Sequence, residues 1–174
     1  MNKPNQNLSV VRRECIEFAG NCNRVQLAAE GDFEVHNSPF VQFNDEFYLY
    51  LRESSIKSEN MIDSGQANLM FIEDELSSPH AFARRQLTYQ CEVNAVSKGY
   101  QYTRIMVAFQ DRLGALMDTL RRVPNCQLLR LTPSTGKYIN SLAQAFTFEG
   151  YRAHFLNQAS RDSETDPFIL RKSK

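Results

Sequence analysis

Residues 54–87, SSIKSENMIDSGQANLMFIEDELSSPHAFARRQL, decide how this chain is read. They open with a Ser-Ser-x-Lys helix start in which Ser54 or Ser55 serves as the N-cap. The helix runs to about Ile62 and closes at Ser64-Gly65, where glycine suits the turn that ends helices. An apolar strand follows over 67–73, then an acidic turn, Glu73 to Glu75, and then a second strand over 82–96 that carries Arg84, Arg85 and Gln86. Leu87, Tyr89, Cys91 and Val93 fall on one face of that strand, and Thr88, Gln90 and Glu92 on the other. A helix start with Ser hydroxyls, unpaired N–H groups and Lys57 nearby attracts phosphate or carboxylate. Two guanidiniums and an amide on the next strand add planar donors for the same anion or for an aromatic cofactor. Ser55, Lys57, Arg84, Arg85 and Gln86 are therefore the candidate cofactor-binding residues. Arg84 and Arg85 alternate faces, so one of them points into a given pocket; its guanidinium holds a carboxylate or phosphate, or else pairs with the Glu73–Glu75 turn.

Upstream, residues 7–18 have helical spacing, with Leu8, Val11, Cys15 and Phe18 on one face and Gly20-Asn21 at the end. Residues 25–29 read as a short strand and Glu30-Gly31-Asp32 as a turn. Residues 33–43 read as a longer strand interrupted at Pro39, which has no N–H to give to a ladder. Asn44-Asp45 is a tight turn, and Phe47, Leu49 and Leu51 then alternate with Tyr48 and Tyr50. Downstream, residues 99–122 form the longest predicted helix, with Ile105, Phe109, Leu113, Leu116 and Leu120 at three- and four-residue steps. Residues 127–131 and 137–148 are the last predicted strands, joined by a turn over 132–136. The helices do not alternate with strands as βαβ units do, so a mainly antiparallel sheet closed into a barrel with flanking helices is the expected class. The expected organisation is one barrel domain over 1–150, including the N-terminal helix, followed by a loose polar tail over 151–174.

Composition narrows the function. With 174 residues, 42% hydrophobic and zero formal net charge, the chain suits one globular core and lacks the basic surface of a general nucleic-acid binder. No apolar run reaches the ~20 residues of a membrane span, and the N-terminus has no signal-peptide core. The expected setting is cytoplasmic, without nucleic-acid or membrane partners. Cys15, Cys22, Cys91 and Cys126 lack the spacing of a zinc site and read as small buried thiols in a reducing compartment. No Ser-His-Asp or Cys-His set is legible, so hydrolysis has no support.

The order of these pieces resembles the FMN-binding split barrel of the pyridoxamine-phosphate-oxidase-like superfamily, and within it the heme-utilisation (HugZ/HutZ-type) branch. The residues that carry the likeness are SPFVQF at 38–43, SIKSENMIDSGQANLMFIEDE at 55–75, FARRQLTYQCEV at 82–93, FQDRLGALMDTL at 109–120, LLRLTP at 128–133 and AQAF at 143–146. The pairing of IEDE with FARRQLT is the most specific of these. The likeness spans roughly residues 8–150 and implies an antiparallel split β-barrel, mainly β with flanking helices, that forms a homodimer with a cofactor cleft between the subunits.

Two cofactors follow from the resemblance. Flavin-binding members grip FMN with a Ser-Arg-Lys helix start, further basic residues and a strand Gln. Ser55, Lys57 and Gln86 match that pattern, while Ile56, Asn37 and Gln42 stand at its basic positions. The heme branch implies heme instead, with an iron-ligating His in a C-terminal loop and an acidic residue from the partner subunit. In GYRAHFLNQASRDSETD the Gly-His step is missing, and Asn125 occupies the acidic position. His154 lies in that tail and is the candidate iron ligand; His36 and His80 are assigned to a strand surface and a loop. Gln144, next to the last strand, is a further candidate at a cofactor edge. The expected function is heme handling, by binding or by oxygen-dependent degradation. The alternatives are an FMN-dependent oxidoreductase and a non-catalytic member without cofactor.

Overall fold

The computed structural model describes residues 7–29, 34–78, 84–153 and 155–158. Nine strands occur among them: β1 (Val25–Ala29), β2 (His36–Ser38), β3 (Val41–Phe43), β4 (Glu46–Arg52), β5 (Gln66–Ile72), β6 (Gln86–Ala95), β7 (Cys126–Ile139), β8 (Ala145–Glu149) and β9 (Phe155–Gln158). Four helices flank them: α1 (Leu8–Asn21), α2 (Ile56–Ser64), α3 (Tyr100–Leu113) and α4 (Ala115–Arg121). The strands form one antiparallel sheet in the order β2-β1-β5-β6-β7-β4-β3, with β8 on β7 and β9 on β8, curled into a half-barrel. The expected class is thus the observed one. Residues 30–32, read as a turn, lie outside the described residues, as do residues 159–174.

Local chemistry sets the element ends. Ser55 caps α2 and Gly65 closes it in the left-handed region at φ 67°. Asn44 and Asp45, at φ 52° and 60°, make the two-residue reversal between β3 and β4. Both residue types tolerate this conformation, and positive φ at two successive positions matches the twist of a hairpin.

Two expectations need correction. The first is the turn over 132–136: β7 runs without reversal through all 14 residues. Its first half pairs with β4 as far as Leu131, and its second half pairs with β8 from Thr135. Pro133 sits at the changeover, where a missing N–H costs least. Ser134 is accommodated as a bulge opposite Gln90 and Cys91, its Oγ donating to the Gln90 carbonyl at 3.1 Å. The reversal comes instead at 140–144, where the Asn140 Oδ1 accepts from the N–H groups of Leu142 and Gln144 at 3.0 and 2.9 Å. The second correction is the long helix, which breaks at Gly114 (φ 51°, ψ −122°) into α3 and α4. The break resets the helical phase, so Met117 is buried and Leu116 is exposed. A smaller difference is the start of β6 at Gln86, which leaves Arg84 and Arg85 just before the strand.

Two cores result. Inside the half-barrel, Val11, Cys15 and Phe18 of α1 and Met61 of α2 meet Leu27, Phe47, Leu69, Phe71, Leu87 and Cys91. Outside it, Tyr48 and Leu128 are covered by Ile105, Met106, Phe109 and Met117 of α3 and α4. β4 is therefore buried on both faces at its start. Among the described residues no helix lies over the outer face of β1, β5, β6 and the second half of β7; Ala28, Met70, Ile72, Thr88 and Lys137 there are only half-buried.

Gly136 pairs with Tyr89 across β6 and β7. A Cβ at Gly136 would lie 2.5 Å from the Tyr89 Cδ1 and 2.6 Å from the Thr88 carbonyl oxygen. Backbone cannot yield as a flexible side chain does, so Gly136→Ala is expected to lower stability by about 1–3 kcal/mol. A urea melt with an unchanged midpoint would show that the two strands separate freely at this point.

Candidate functional site

The start of α2 is built as the sequence suggests, but its hydroxyl is engaged locally. The Ser55 Oγ accepts from the Ser58 N–H at 3.2 Å and donates to the Arg52 carbonyl at 2.9 Å. Ser58 is buried and accepts from the Gln127 Nε2 at 2.6 Å, which fixes the helix start to the beginning of β7. Lys57 stands half-buried in the first turn, with no ion pair among the described residues. Burial holds its pKa below the usual lysine value.

Arg84 and Arg85 both turn to the acidic segment. The Arg84 Nε donates to the Glu73 carbonyl at 2.7 Å, and its Nη1 donates to the Glu75 Oε1 at 3.2 Å. Arg85 grips the Glu73 Oε1 with Nε at 2.9 Å and Nη2 at 2.7 Å, while its backbone N–H donates to Oε2 at 3.0 Å. Its guanidinium also lies over the Phe18 ring, 4.8 Å from the centroid. Of the two roles open to these arginines, pairing with the Glu73–Glu75 turn is the one the structure displays. Burial pushes the Glu73 carboxyl up, but the hydrogen bonds and charge of Arg85 outweigh it and leave the carboxyl below its usual range.

Gln86 begins β6 opposite Ile72, and its Nε2 donates to the Met70 Sδ at 3.5 Å. Gln144 ends the 140–144 reversal, where its Oε1 accepts from the Asn140 Nδ2 at 2.9 Å. His154 and His80 lie outside the described residues; His36 is on β2, 3.7 Å from Glu34. The candidates thus fall into two groups. Arg84, Arg85, Gln86 and Gln144 gather at the end of the sheet where Gln86 pairs with Ile139. Ser55 and Lys57 sit at the opposite end, beside Gln127. The ten-residue strand β6 lies between them, roughly 30 Å at the usual rise per residue.

Sequence reasoning missed a groove of about 430 Å³ on the uncovered sheet face, lined chiefly by Ala28, Val35, Met70, Thr88, Thr135 and Lys137. Its signal was present in the strand alternation. Short side chains at Ala28, Thr88 and Thr135 leave space on that face beside the longer Met70 and Lys137, which flank Thr88 across β5, β6 and β7. Also missed was a buried carboxylate. Glu46 receives the Thr132 hydroxyl at 2.8 Å and the Tyr48 hydroxyl at 3.2 Å, and lies 3.4 Å from the Arg152 Nη2. This cluster ties the chain after β8 to β4, a structural role.

The thiols offer no reactive centre. All four cysteines are free, and burial pushes the pKa of each upward, most strongly at Cys15 and Cys91. No cluster of His, Cys, Asp and Glu suited to a metal ion occurs among the described residues.

Comparison with known proteins bears on this geometry. No protein-family model matches the chain. It is 27% identical over 141 residues to the heme oxygenase HutZ of Vibrio cholerae, covering 79% of this chain and 80% of that protein. The crystal structure of HutZ, a heme storage protein from Vibrio cholerae, superposes with a TM-score of 0.63 at 26% identity, over 70% of this chain and 89% of that one. Campylobacter jejuni ChuZ superposes with a TM-score of 0.80 at 24% identity, over 96% of this chain and 69% of that one. The fold is therefore the split barrel, and the chain is similar to the HutZ-type branch of that superfamily.

The Glu73–Arg85 pair yields a pH signature. Its folded carboxyl is depressed, so its contribution is full above the unfolded Glu value near ~4.3 and fades as pH falls through the folded value. Glu73→Gln is expected to cost about 1.5–3 kcal/mol at neutral pH. The gap from the native protein should narrow in denaturant melts once the pH drops below about 4. A gap that stays constant down to that pH would assign the loss to something other than this ion pair.

Proposed function

We propose that the protein is a heme-binding protein that works as a homodimer, with the macrocycle lodged against the uncovered face of the sheet. The observation that carries the reading is the 27% identity to a heme oxygenase over four-fifths of both chains. The groove adds physical support. A flat, largely apolar ligand needs an apolar floor, which Ala28, Val35 and Met70 supply. Acidic side arms such as propionates need a cation, and Lys137 stands on the rim. The groove thus offers a macrocycle an apolar floor and a cation, while its lining holds no His or Cys to ligate the iron. Bound there, the group would supply the iron and oxygen chemistry; the chain's part is to hold it flat, to keep water from it and to fix its orientation.

The dimer belongs to the same reading. Met70 and Ile72 are only half-buried and Val35 is 63% exposed on the uncovered face, so a second copy would bury apolar surface and roof the groove. Four free thiols and a chain without a helix long and apolar enough to cross a membrane, among the described residues, suit a cytoplasmic setting.

FMN is the weaker fit. Its phosphate needs dense positive charge, yet Ile56, Asn37 and Gln42 stand at basic positions of the flavin pattern. Arg84 and Arg85 are engaged with Glu75 and Glu73, and Lys57 lies at the far end of the sheet from them. Each charged hydrogen bond lost is worth about 1.5–3 kcal/mol, so two or three absent contacts reduce FMN affinity by orders of magnitude.

Hemin added to the purified protein is expected to give a Soret band that saturates stoichiometrically, while calorimetry with FMN returns weak binding or none. A flat hemin titration would remove the heme reading, and tight stoichiometric FMN binding would put the flavin reading in its place. Light scattering at micromolar concentration should return the dimer mass; a monomer would argue against a shared cleft.

A further inference from the structure

We propose that the cavity between the β1–β2 edge and the α3–α4 junction is a binding site for an organic acid, a carboxylate carried on an aliphatic body. The site is separate from the groove on the uncovered sheet face and does not depend on the heme reading. Its volume is about 370 Å³, within the range of small-ligand sites. One wall is apolar: Leu113 and Leu116 stand on either side of the Gly114 break, and Pro39 lies between β2 and β3. The other wall carries the guanidiniums of Arg24 and Arg112 and the amides of Asn23 and Asn37. No acidic residue is among the described residues that line it.

Arg112 is held for this task. It lies in the last turn of α3, where any cation suits the helix dipole. Its guanidinium is also fixed at both ends. It sits over the Phe40 ring, 4.5 Å from the centroid, and its Nη2 donates to the Cys22 carbonyl at 2.5 Å. Its other N–H groups have no partner among the described residues. Burial holds its pKa below the usual arginine value, and the group that offsets this is the Cys22 thiol, not a carboxylate. Arg24 forms no ion pair among the described residues either. Arg84 and Arg85 differ, since each has its own glutamate. Two cations on one cavity without a counter-charge repel each other and attract an anion. The planar guanidinium fork matches a carboxylate, and a single negative charge suits two such groups, whereas a phosphate dianion asks for denser charge. The leucines decide what carries the carboxylate. Leu116 is 49% exposed and Leu113 is half-buried, so an aliphatic body laid against them takes apolar surface out of water.

The test is calorimetric and uses the full chain at low salt. Octanoate is titrated into the native protein and into Arg24→Gln and Leu116→Asp; octanamide and inorganic phosphate are titrated into the native protein. Arg24 and Leu116 are exposed, so neither substitution disturbs the core, and an unchanged urea midpoint confirms it. Octanoate is expected to saturate at one molecule per chain. Octanamide, which keeps the chain and loses the charge, is expected to bind at least about tenfold more weakly, as is octanoate to Arg24→Gln, because a charged hydrogen bond is lost in each. Leu116→Asp is expected to weaken octanoate to the same extent by placing a like charge on the apolar wall. Octanamide binding as tightly as octanoate overturns the carboxylate site and leaves only an apolar patch. Phosphate binding as tightly as octanoate overturns the aliphatic body and leaves only a cationic surface. Absence of saturable octanoate binding, or either variant binding it as tightly as the native protein, overturns the site altogether.

Discussion

β7 is the constraint on which the rest of the structure depends. It must pair with β6 along most of its length while changing its other partner from β4 to β8. A flat strand cannot do this, because β4 and β8 would compete for one edge. The bulge at Ser134 and the proline before it bend and twist the strand at the changeover. Gly136 then lets the Tyr89 ring lie across the backbone at a distance that no Cβ would permit. That ring packs against Phe47 and Phe148, with centroids 5.6 and 5.5 Å away. One bend thus closes the inner core, and it divides the outer face into a part roofed by α3 and α4 and a part left uncovered.

The division explains why the sequence was legible in some places and not in others. Strands whose neighbours are simple hairpins announced themselves: 25–29 matches β1, and Asn44-Asp45 makes the predicted reversal. The α2 cap and its Gly65 stop were readable because both depend on local chemistry. The segment 132–136 was misread because Thr-Pro-Ser-Thr-Gly has turn composition, and only the register of β6 and β8 reveals a bulge. The helix over 99–122 was misread because apolar spacing alone hides a change of phase; Gly114 was visible, but one glycine does not by itself break a helix. The residue types of the candidate site could be read, but not which of them share one end of the sheet. That depends on strand order, which single-strand periodicity does not contain.

Arg84 and Arg85 show how a sequence signature can serve the frame of a fold. Their pairing with the acidic turn was the most specific mark of the resemblance. In the structure it fastens the β5–β6 connection to itself and, through Phe18, to α1. With both guanidinium N–H groups of Arg85 on the Glu73 Oε1, its backbone N–H on Oε2 and Glu73 only 10% exposed, the pair is a rigid joint. It also removes the two guanidiniums from the stock of free charge that an anion would need.

The same logic applied to the uncovered face leads toward function. Evolution of a sheet with no partner favours polar alternation on the solvent side, as Asn68, Gln90 and Glu92 display. Met70, Ile72 and Val35 break that alternation on the same face, and the small residues between them leave space instead of filling it. An apolar face that was only a subunit interface would be expected to pack densely, with large side chains meeting their counterparts. A trough floored by Ala28, Thr88 and Thr135 instead reserves volume for something thinner than a side-chain layer. The proposed cofactor and second copy would satisfy both features: the one would occupy the trough, and Ile72 beside it would remain for the other to cover.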